Sequence, residues 1–249
     1  MGNKVINTTS VKLGIYETST DSQLAGMLGD VKEMEDGRKF RLCKNSTAGA
    51  LAPGIGVSSP AIDGAYDDGM AIGTAAAGDT TLTVTVNASA AADVAVNDYA
   101  GGWFVVNTGS GELGHGRKIK ENTAAAKGSD TTLTFYDALT DVISSGSTGT
   151  WIKNPYNNVF TDAHTGRVVG VTVCDVAAST STVPVFFWAQ VSGPCPMLCT
   201  GAIVLGDNVM CTDSACALTG AANTDNYIGT AMQTIDTGGQ AGMIWLNME

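Results

Sequence analysis

The residues that most suggest chemistry form a glycine-rich run, Gly109-Ser110-Gly111-Glu112-Leu113-Gly114, which matches the dinucleotide-binding pattern G-x-G-x-x-G. That pattern holds a pyrophosphate only where it follows a strand and opens a helix, because the helix N-terminus meets the phosphates. Here Gly116 follows at once, and the residues beyond it alternate as a strand does. We therefore predict a β-hairpin loop and no bound cofactor.

The histidines and clustered carboxylates offer little further chemistry. His115 and His164 lie in loops outside any H-E-x-x-H spacing, so we predict solvated residues rather than metal ligands. Asp63, Asp67 and Asp68 lack the alternate spacing of a calcium loop and predict an acidic turn. Paired carboxylates brought together from separate strands stay open. We predict no catalytic residue and no metal site, and we do not expect an enzyme.

The six cysteines include a late group of four, Cys195, Cys199, Cys211 and Cys216, with the spacing C-x3-C-x11-C-x4-C. Structural zinc usually requires tighter C-x2-C pairs. We predict reduced thiols that pack as small hydrophobic side chains. A disulfide joining Cys195 to Cys199 or Cys211 to Cys216 remains an alternative, as does a metal site.

The composition restricts the partners of the chain. The net charge is −11 and only 15% of the 249 residues are charged, so the surface is expected to repel phosphate backbones and to bind no nucleic acid. No apolar run approaches the roughly 20 residues of a membrane-spanning helix. The N-terminus lacks a secretory signal. We therefore expect synthesis in the cytoplasm, no membrane binding, and departure only inside a larger particle.

Short alternating segments predict β-strands from end to end. Val31–Glu35 and Arg38–Cys43 flank the turn pair Asp36-Gly37 and predict a hairpin. The segment DTTLT occurs at 79–83 and again at 130–134, which predicts two similar turns, each with its Asp bonding the nearby backbone. The other predicted strands are Thr81–Val86, Trp103–Val106, Lys118–Lys120, Thr131–Tyr136, Thr148–Lys153, Arg167–Asp175, Val183–Val191, Ala202–Leu205, Asn208–Cys211, Tyr227–Thr234 and Ala241–Asn247.

The strand spacing predicts an all-β fold, a small β-barrel or sandwich with an inserted second β-domain and an extended N-terminal arm. The barrel domain is predicted to be discontinuous, from residues 31–72 and 161–249, with the inserted domain at 73–160 and the arm at 1–30. A short helix is predicted at Asp21–Leu28. All four tryptophans fall within strand patterns and are predicted to lie in the cores: Trp103, Trp151, Trp188 and Trp245.

Several of these segments resemble virion proteins of tailed bacteriophages that serve as capsid decoration or head structural proteins. They are AGGWFVVNTGSGELGHGRKIK, TLTFYDAL, KNPYNNV, VVGVTV, FFWAQVSGPCPML, GDNV and IGTAMQTIDTGGQAGMIWLNM, with GDVKEMEDGRKFRLCKN near the start. The resemblance implies a β-rich protein on the outer surface of the capsid, often a homotrimer, that binds major capsid protein subunits and stabilises the shell. The late group of four cysteines departs from the family pattern.

The N-terminal arm is the predicted contact with the capsid. Its apolar residues are expected to add a strand to an edge of the shell: Val5, Ile6, Val11, Leu13 and Ile15. Deletion of residues 2–16 is then expected to abolish attachment and to leave the fold intact. The alternative function is a tail or fibre component that binds a host surface through an exposed aromatic or polar groove.

Overall fold

The structure is a computed structural model that describes residues 5–8, 13–21, 27–60, 67–90, 92–109, 111–161, 167–212, 215–218 and 227–249, with 5–8, 212 and 215–218 described by backbone alone. These ranges contain no helix, which confirms the all-β class; the predicted helix at Asp21–Leu28 lies mostly outside them. The strands are β1 (Val5–Thr8), β2 (Thr18–Ser19), β3 (Val31–Met34), β4 (Lys39–Lys44), β5 (Gly56–Ser58), β6 (Met70–Ala71), β7 (Thr81–Thr85), β8 (Trp103–Thr108), β9 (Gly116–Asn122), β10 (Asp130–Phe135), β11 (Thr148–Ile152), β12 (Val168–Thr172), β13 (Phe186–Cys199), β14 (Asn208–Thr212), β15 (Ala215–Leu218), β16 (Tyr227–Ala231) and β17 (Gln240–Asn247).

The chain divides into two compact units. The first unit comprises Met1–Ala61 and Pro155–Glu249, and the second comprises Ile62–Asn154, so the second unit interrupts the first in sequence. The inserted unit begins earlier than the predicted residue 73. The reason is β6, whose Met70 pairs with Gly149 of β11 and which therefore belongs to the inserted sheet.

The second unit is a closed six-stranded barrel. Its strands are hydrogen-bonded in the order β6–β11–β8–β9–β10–β7. The ring closes where the N–H of Gly73 donates to the carbonyl of Thr83 at 2.9 Å. Inside the barrel Tyr99 stacks on Trp151 with ring centroids 4.0 Å apart, within a core of inward-facing apolar side chains.

The two DTTLT segments lie largely in partner strands. Strands β7 and β10 pair antiparallel, with Leu82 opposite Leu133. Asp79 bonds the nearby backbone as predicted, since its carboxylate accepts from the N–H of Ala76 at 2.8 Å. The prediction is wrong for Asp130, which lies inside β10, where its carboxylate accepts from the Thr85 hydroxyl at 2.7 Å. The repeat is therefore better explained by cross-strand pairing than by two equivalent turns.

Three Gly-Asp pairs form the same turn ahead of a strand: Gly29-Asp30 before β3, Gly78-Asp79 before β7 and Gly206-Asp207 before β14. The glycines have φ of 89°, 95° and 89°, as the third position of a type II turn requires. Each Asp N–H donates to the carbonyl three residues earlier, at 2.9, 3.2 and 3.0 Å. Each carboxylate accepts from the N–H of that same earlier residue, at 3.0, 2.8 and 2.8 Å.

The first unit contains a closed five-stranded barrel. Strand β13 pairs with both β15 and β17, and β14 and β16 complete the ring. The predicted strand Ala202–Leu205 is wrong. Only Ile203 forms a bridge, to Ile235, because the next residues enter the turn at Gly206-Asp207. The barrel is filled by apolar side chains that include Cys195, Cys199 and Cys211.

Strand β13 is far longer than the predicted Val183–Val191, because it continues through Pro194 and Pro196. A proline lacks the N–H that a central strand normally donates. The N–H of Leu198 points away from β17 and donates to the carbonyl of Gly54 at 3.0 Å. Backbone N–H directions alternate along a strand, so both prolines also point away from β17 and the ladder with β17 loses no hydrogen bond.

The hairpin of β3 and β4 pairs with the N-terminal half of β13, whereas the five-stranded barrel uses its C-terminal half. Strands β3 and β4 pair antiparallel as predicted, and β4 pairs with β13. The turn differs from the prediction, since Gly37 donates its N–H to Met34 and Met34 donates to Arg38. Gly37, with φ of 83°, thus follows the turn as a bulge residue rather than occupying its centre.

Candidate functional site

The structure places the predicted capsid-binding residues in different environments. Val5 and Ile6 lie in β1, which pairs with β3 of the same chain. Val11 lies outside the described residues. Leu13 and Ile15 are buried together in an apolar cluster of the first unit. These segments thus belong to the first unit and differ from a separate arm, because β1 pairs with β3 and the side chains of Leu13 and Ile15 are buried there.

The carbonyl of Leu13 anchors this segment. It accepts a hydrogen bond from the indole of Trp188 at 3.1 Å and another from the ammonium of Lys32. The Lys32 nitrogen also lies 4.6 Å from the centre of the Trp188 ring, a cation–π contact. Burial lowers the pKa of Lys32 and outweighs the negative charge of Glu17, which acts to raise it. These contacts give the N-terminal segment a structural role.

The glycine-rich run at 109–114 joins β8 to β9, which pair antiparallel, and this confirms the predicted hairpin loop. A Cβ at Gly111, where φ is 92°, would collide with the carbonyl of Val142. Packing against this neighbouring segment therefore explains the glycine, with no need for a phosphate.

Glu112 is the central residue of this loop, and its side chain is only 1% exposed. One carboxylate oxygen accepts from the hydroxyl of Thr140 at 2.9 Å, from the N–H of Asp141 at 2.7 Å and from the N–H of Thr140. The other accepts from Arg117 at 3.0 and 2.7 Å. Burial alone would raise the pKa of this carboxyl, but these hydrogen bonds outweigh it and hold the pKa at about 2.

A carboxylate with this many donors is suited to joining two loops and is poorly placed to transfer a proton. His115 lies beside it, with Nδ1 3.0 Å from the Thr140 hydroxyl and 3.3 Å from Glu112, and its side chain is half exposed. His164 lies outside the described residues. The one described histidine therefore lies at the edge of a structural carboxylate cluster.

The acidic turn does not gather its carboxylates into one site. Asp67 is buried and accepts from the Tyr99 hydroxyl at 2.6 Å. Asp68 is exposed and accepts from the Asn107 amide at 2.9 Å. Asp63 lies outside the description. In the described part of the chain, no group of three His, Cys, Asp or Glu side chains is arranged to hold a metal ion.

Cys43, Cys174, Cys195 and Cys211 are free thiols. Burial raises the pKa of Cys195 and of Cys211 to about 12. The predicted alternative of a disulfide between Cys195 and Cys199 is therefore not formed. The register places Cys216 opposite both Cys199 and Cys211, but its side chain is outside the description.

The prediction for the tryptophans is wrong for two of the four. Trp151 and Trp188 are fully buried, whereas Trp103 is 49% exposed and Trp245 is 50% exposed. Strand alternation explains the difference, because Phe104 in β8 and Ile244 in β17 take the inward positions. Each unit thus presents one exposed tryptophan on an outer sheet surface.

The exposed tryptophan of the first unit belongs to an apolar surface that we call the Trp245 face. Pro194 lies opposite Trp245 and Pro196 lies opposite Met243 across β13 and β17. Met232 lies beyond Met243, to whose carbonyl its N–H donates at 2.9 Å. The face comprises Pro194, Pro196, Leu198, Met232, Met243 and Trp245, none of which carries a charge.

The exposed tryptophan of the second unit belongs to a mixed surface that we call the Trp103 face. Ile152 and Lys118 flank Trp103 on the neighbouring strands β11 and β9. Tyr136 continues the row, since its N–H donates to the Lys118 carbonyl at 3.1 Å. The face comprises Ile152, Trp103, Lys118 and Tyr136, and sequence alternation alone did not reveal it.

Comparison of the chain with protein-family models, with curated proteins and with solved structures found no match. Among the described residues, no helix is long and apolar enough to cross a membrane.

Proposed function

We propose that this chain is a structural virion protein that decorates the outer surface of a phage capsid and stabilises it by binding major capsid protein subunits. The Trp245 face is the observation that carries the proposal. It combines a half-exposed tryptophan with two exposed methionines and a leucine, on or beside the paired strands β13 and β17. Contiguous exposed apolar surface of this kind marks sites of protein contact.

The absence of charge on the Trp245 face suits a protein partner. The whole chain carries −11, so a face without carboxylates can be removed from water with no unpaired charge left behind. Aromatic residues and methionine are the side chains enriched at interface cores. In a homotrimer on the shell, apolar contacts of the same kind would join the copies, and the contact with the shell would lie beside those contacts.

Cosedimentation with purified capsid shells that lack this chain tests the proposal. Trp245→Ser and Met243→Ser are each expected to weaken binding at least about tenfold, as loss of a central apolar anchor does. Trp103→Ser is the matched control, because it removes an equally exposed tryptophan from the second unit. Unchanged binding by both Trp245→Ser and Met243→Ser, with folded protein confirmed by circular dichroism, would refute the proposal.

The contribution of the N-terminal segment needs a shorter deletion than residues 2–16. That deletion removes Leu13 and Ile15 from the core and takes the Leu13 carbonyl from Trp188, so it is expected to destabilise the first unit. Deletion of residues 2–8 removes β1 and leaves these contacts in place. If β1 binds the shell, this variant keeps its thermal stability within a few degrees and loses attachment.

A further inference from the structure

We infer that the Trp103 face of the second unit binds an acidic glycan. Sugar rings stack on Trp103 and Tyr136, and a sugar carboxylate meets the ammonium of Lys118. The inference is independent of the capsid role, which rests on the Trp245 face of the other unit.

The register sets the dimensions of the site. Trp103 in β8 and Tyr136 after β10 lie on either side of Lys118 in β9. Two strand spacings separate them, about 9–10 Å. Both rings are half exposed, at 49% and 50%. The face therefore offers two stacking surfaces to one extended ligand rather than a single pocket.

The indole of Trp103 packs over Gly116 of the neighbouring strand β9. A Cβ built on Gly116 would be 3.7 Å from the six-membered ring of Trp103, so this ring covers the glycine. The rest of the ring is exposed to solvent, while the covered part rests on the backbone of β9. Supported aromatic surfaces lose little conformational entropy when a ligand stacks on them.

The charge on the face selects an anion. Lys118 lies 5.8 Å from the centre of the Tyr136 ring, and in the described chain no carboxylate is within ion-pair distance of its nitrogen. Arg117 on the same strand is already paired with Glu112. In a chain of net charge −11, an available ammonium between two aromatic rings is complementary to a carboxylate on the ligand.

Polar groups farther along the same sheet surface can add hydrogen bonds to an extended sugar chain. Asp68 accepts hydrogen bonds from Asn107 and from Thr150. These groups lie farther along the sheet, since Thr150 is two residues from Ile152 in β11 and Asn107 is four residues from Trp103 in β8. An exposed carboxylate, amide and hydroxyl can each exchange hydrogen bonds with sugar hydroxyls. The residues that define the Trp245 face include no lysine or arginine, and this difference assigns an acidic ligand to the Trp103 face.

Calorimetric titration tests the inference with tetragalacturonate, a hyaluronan tetrasaccharide and sialyllactose, each beside its methyl ester. The ester keeps the ring faces and removes the charge. We expect saturable binding of at least one acid, with its ester weaker. Trp103→Ala and Tyr136→Ala should each weaken acid and ester about tenfold. Lys118→Gln should remove the preference for the acid and leave ester binding unchanged.

Trp245→Ala is the matched control and should bind the glycan as the unaltered chain does. The inference is overturned if none of the three acids binds, if Trp103→Ala binds them normally, or if Lys118→Gln weakens acid and ester equally. Protein binding that depends on Trp103 without glycan binding also overturns it. Loss of shell attachment by Trp245→Ser has no bearing on these outcomes, so the two proposals fail separately.

Discussion

Glu112 and Arg117 form a buried, two-pronged ion pair across the β8–β9 loop, with the Arg117 Nε and Nη2 atoms 3.0 and 2.7 Å from one Glu112 oxygen. The second oxygen of Glu112 receives donors from Thr140 and Asp141 in a separate loop. One carboxylate thus joins two loops of the second unit. Glu112 lies within the run that matches a dinucleotide-binding pattern, but its carboxylate accepts these hydrogen bonds from residues of the same unit.

Replacing Glu112 with Gln should destabilise the protein by about 1–3 kcal/mol at pH 7, since buried donors lose their charged acceptor. Urea unfolding measures the change. Glu121→Gln is the control, because Glu121 is exposed on the neighbouring strand. An equal effect of both substitutions would contradict the structural role of Glu112.

The same carboxylate predicts a pH dependence. Its folded pKa is held at about 2, below the ordinary 4.5. A depressed carboxyl pKa stabilises the folded state above the ordinary value, and this stability is lost as the pH falls from about 4.5 to about 2. The unaltered chain should lose more stability than Glu112→Gln across this window in thermal unfolding followed by circular dichroism. Parallel curves would exclude the effect.

The Gly-Asp turns predict that two kinds of substitution lower the stability of the fold. Asp79→Ala removes a side-chain acceptor from a backbone N–H and should cost about 1 kcal/mol. Gly78→Ala meets open space but keeps a φ of 95°, which should cost about 1–2 kcal/mol. Gly49→Ala is the matched control, as it also meets open space and has no positive φ. Equal denaturant midpoints for Gly49→Ala and Gly78→Ala would argue against backbone strain at position 78.

Tyr99 should be sensitive to loss of its hydroxyl alone. The hydroxyl donates to the buried carboxylate of Asp67 at 2.6 Å, so Tyr99→Phe removes one donor and should cost about 1–3 kcal/mol. The ring stacking on Trp151 is retained. Tyr136→Phe, at an exposed position, should stay within about 0.5 kcal/mol of the parent. Chemical denaturation of both variants distinguishes the buried hydroxyl from a general tyrosine effect.

The buried thiols should resist alkylation. The thiolate is the reactive form, and burial raises the pKa of Cys195 and Cys211 to about 12. At pH 8 iodoacetamide should label these residues far more slowly in the folded chain than in urea. Cys174, which is only partly buried, should be labelled before them. Peptide mass spectrometry gives the order, and early labelling of Cys211 would contradict its burial.

Local sequence chemistry was sufficient for several elements. Alternation in Thr81–Thr85 predicts its strand, because Leu82 and Val84 are buried while the threonines between them point outward. The hairpin loop at 109–114 followed from the absence of a helix signal after Gly116. These predictions succeed because the deciding interactions lie within a few residues of each other.

Other features depend on partners distant in sequence. The predicted strand Val183–Val191 did not include Pro194 and Pro196, and only the alignment of β13 with β17 on one side and Gly54 on the other shows why these prolines are tolerated within it. The exposure of Trp103 and Trp245 likewise depends on which face of each strand the barrel turns inward.

The sequence by itself determined the all-β class, the hairpin at the glycine-rich run and the shortage of local catalytic motifs, because alternation and turn residues act over short distances. Only the tertiary structure decided which apolar residues are covered. It buries Leu13 and Ile15 within the first unit, leaves Trp245 and Trp103 on two chemically different faces, and surrounds Glu112 with donors. Those outcomes depend on closure of two barrels, which joins strands far apart in the chain.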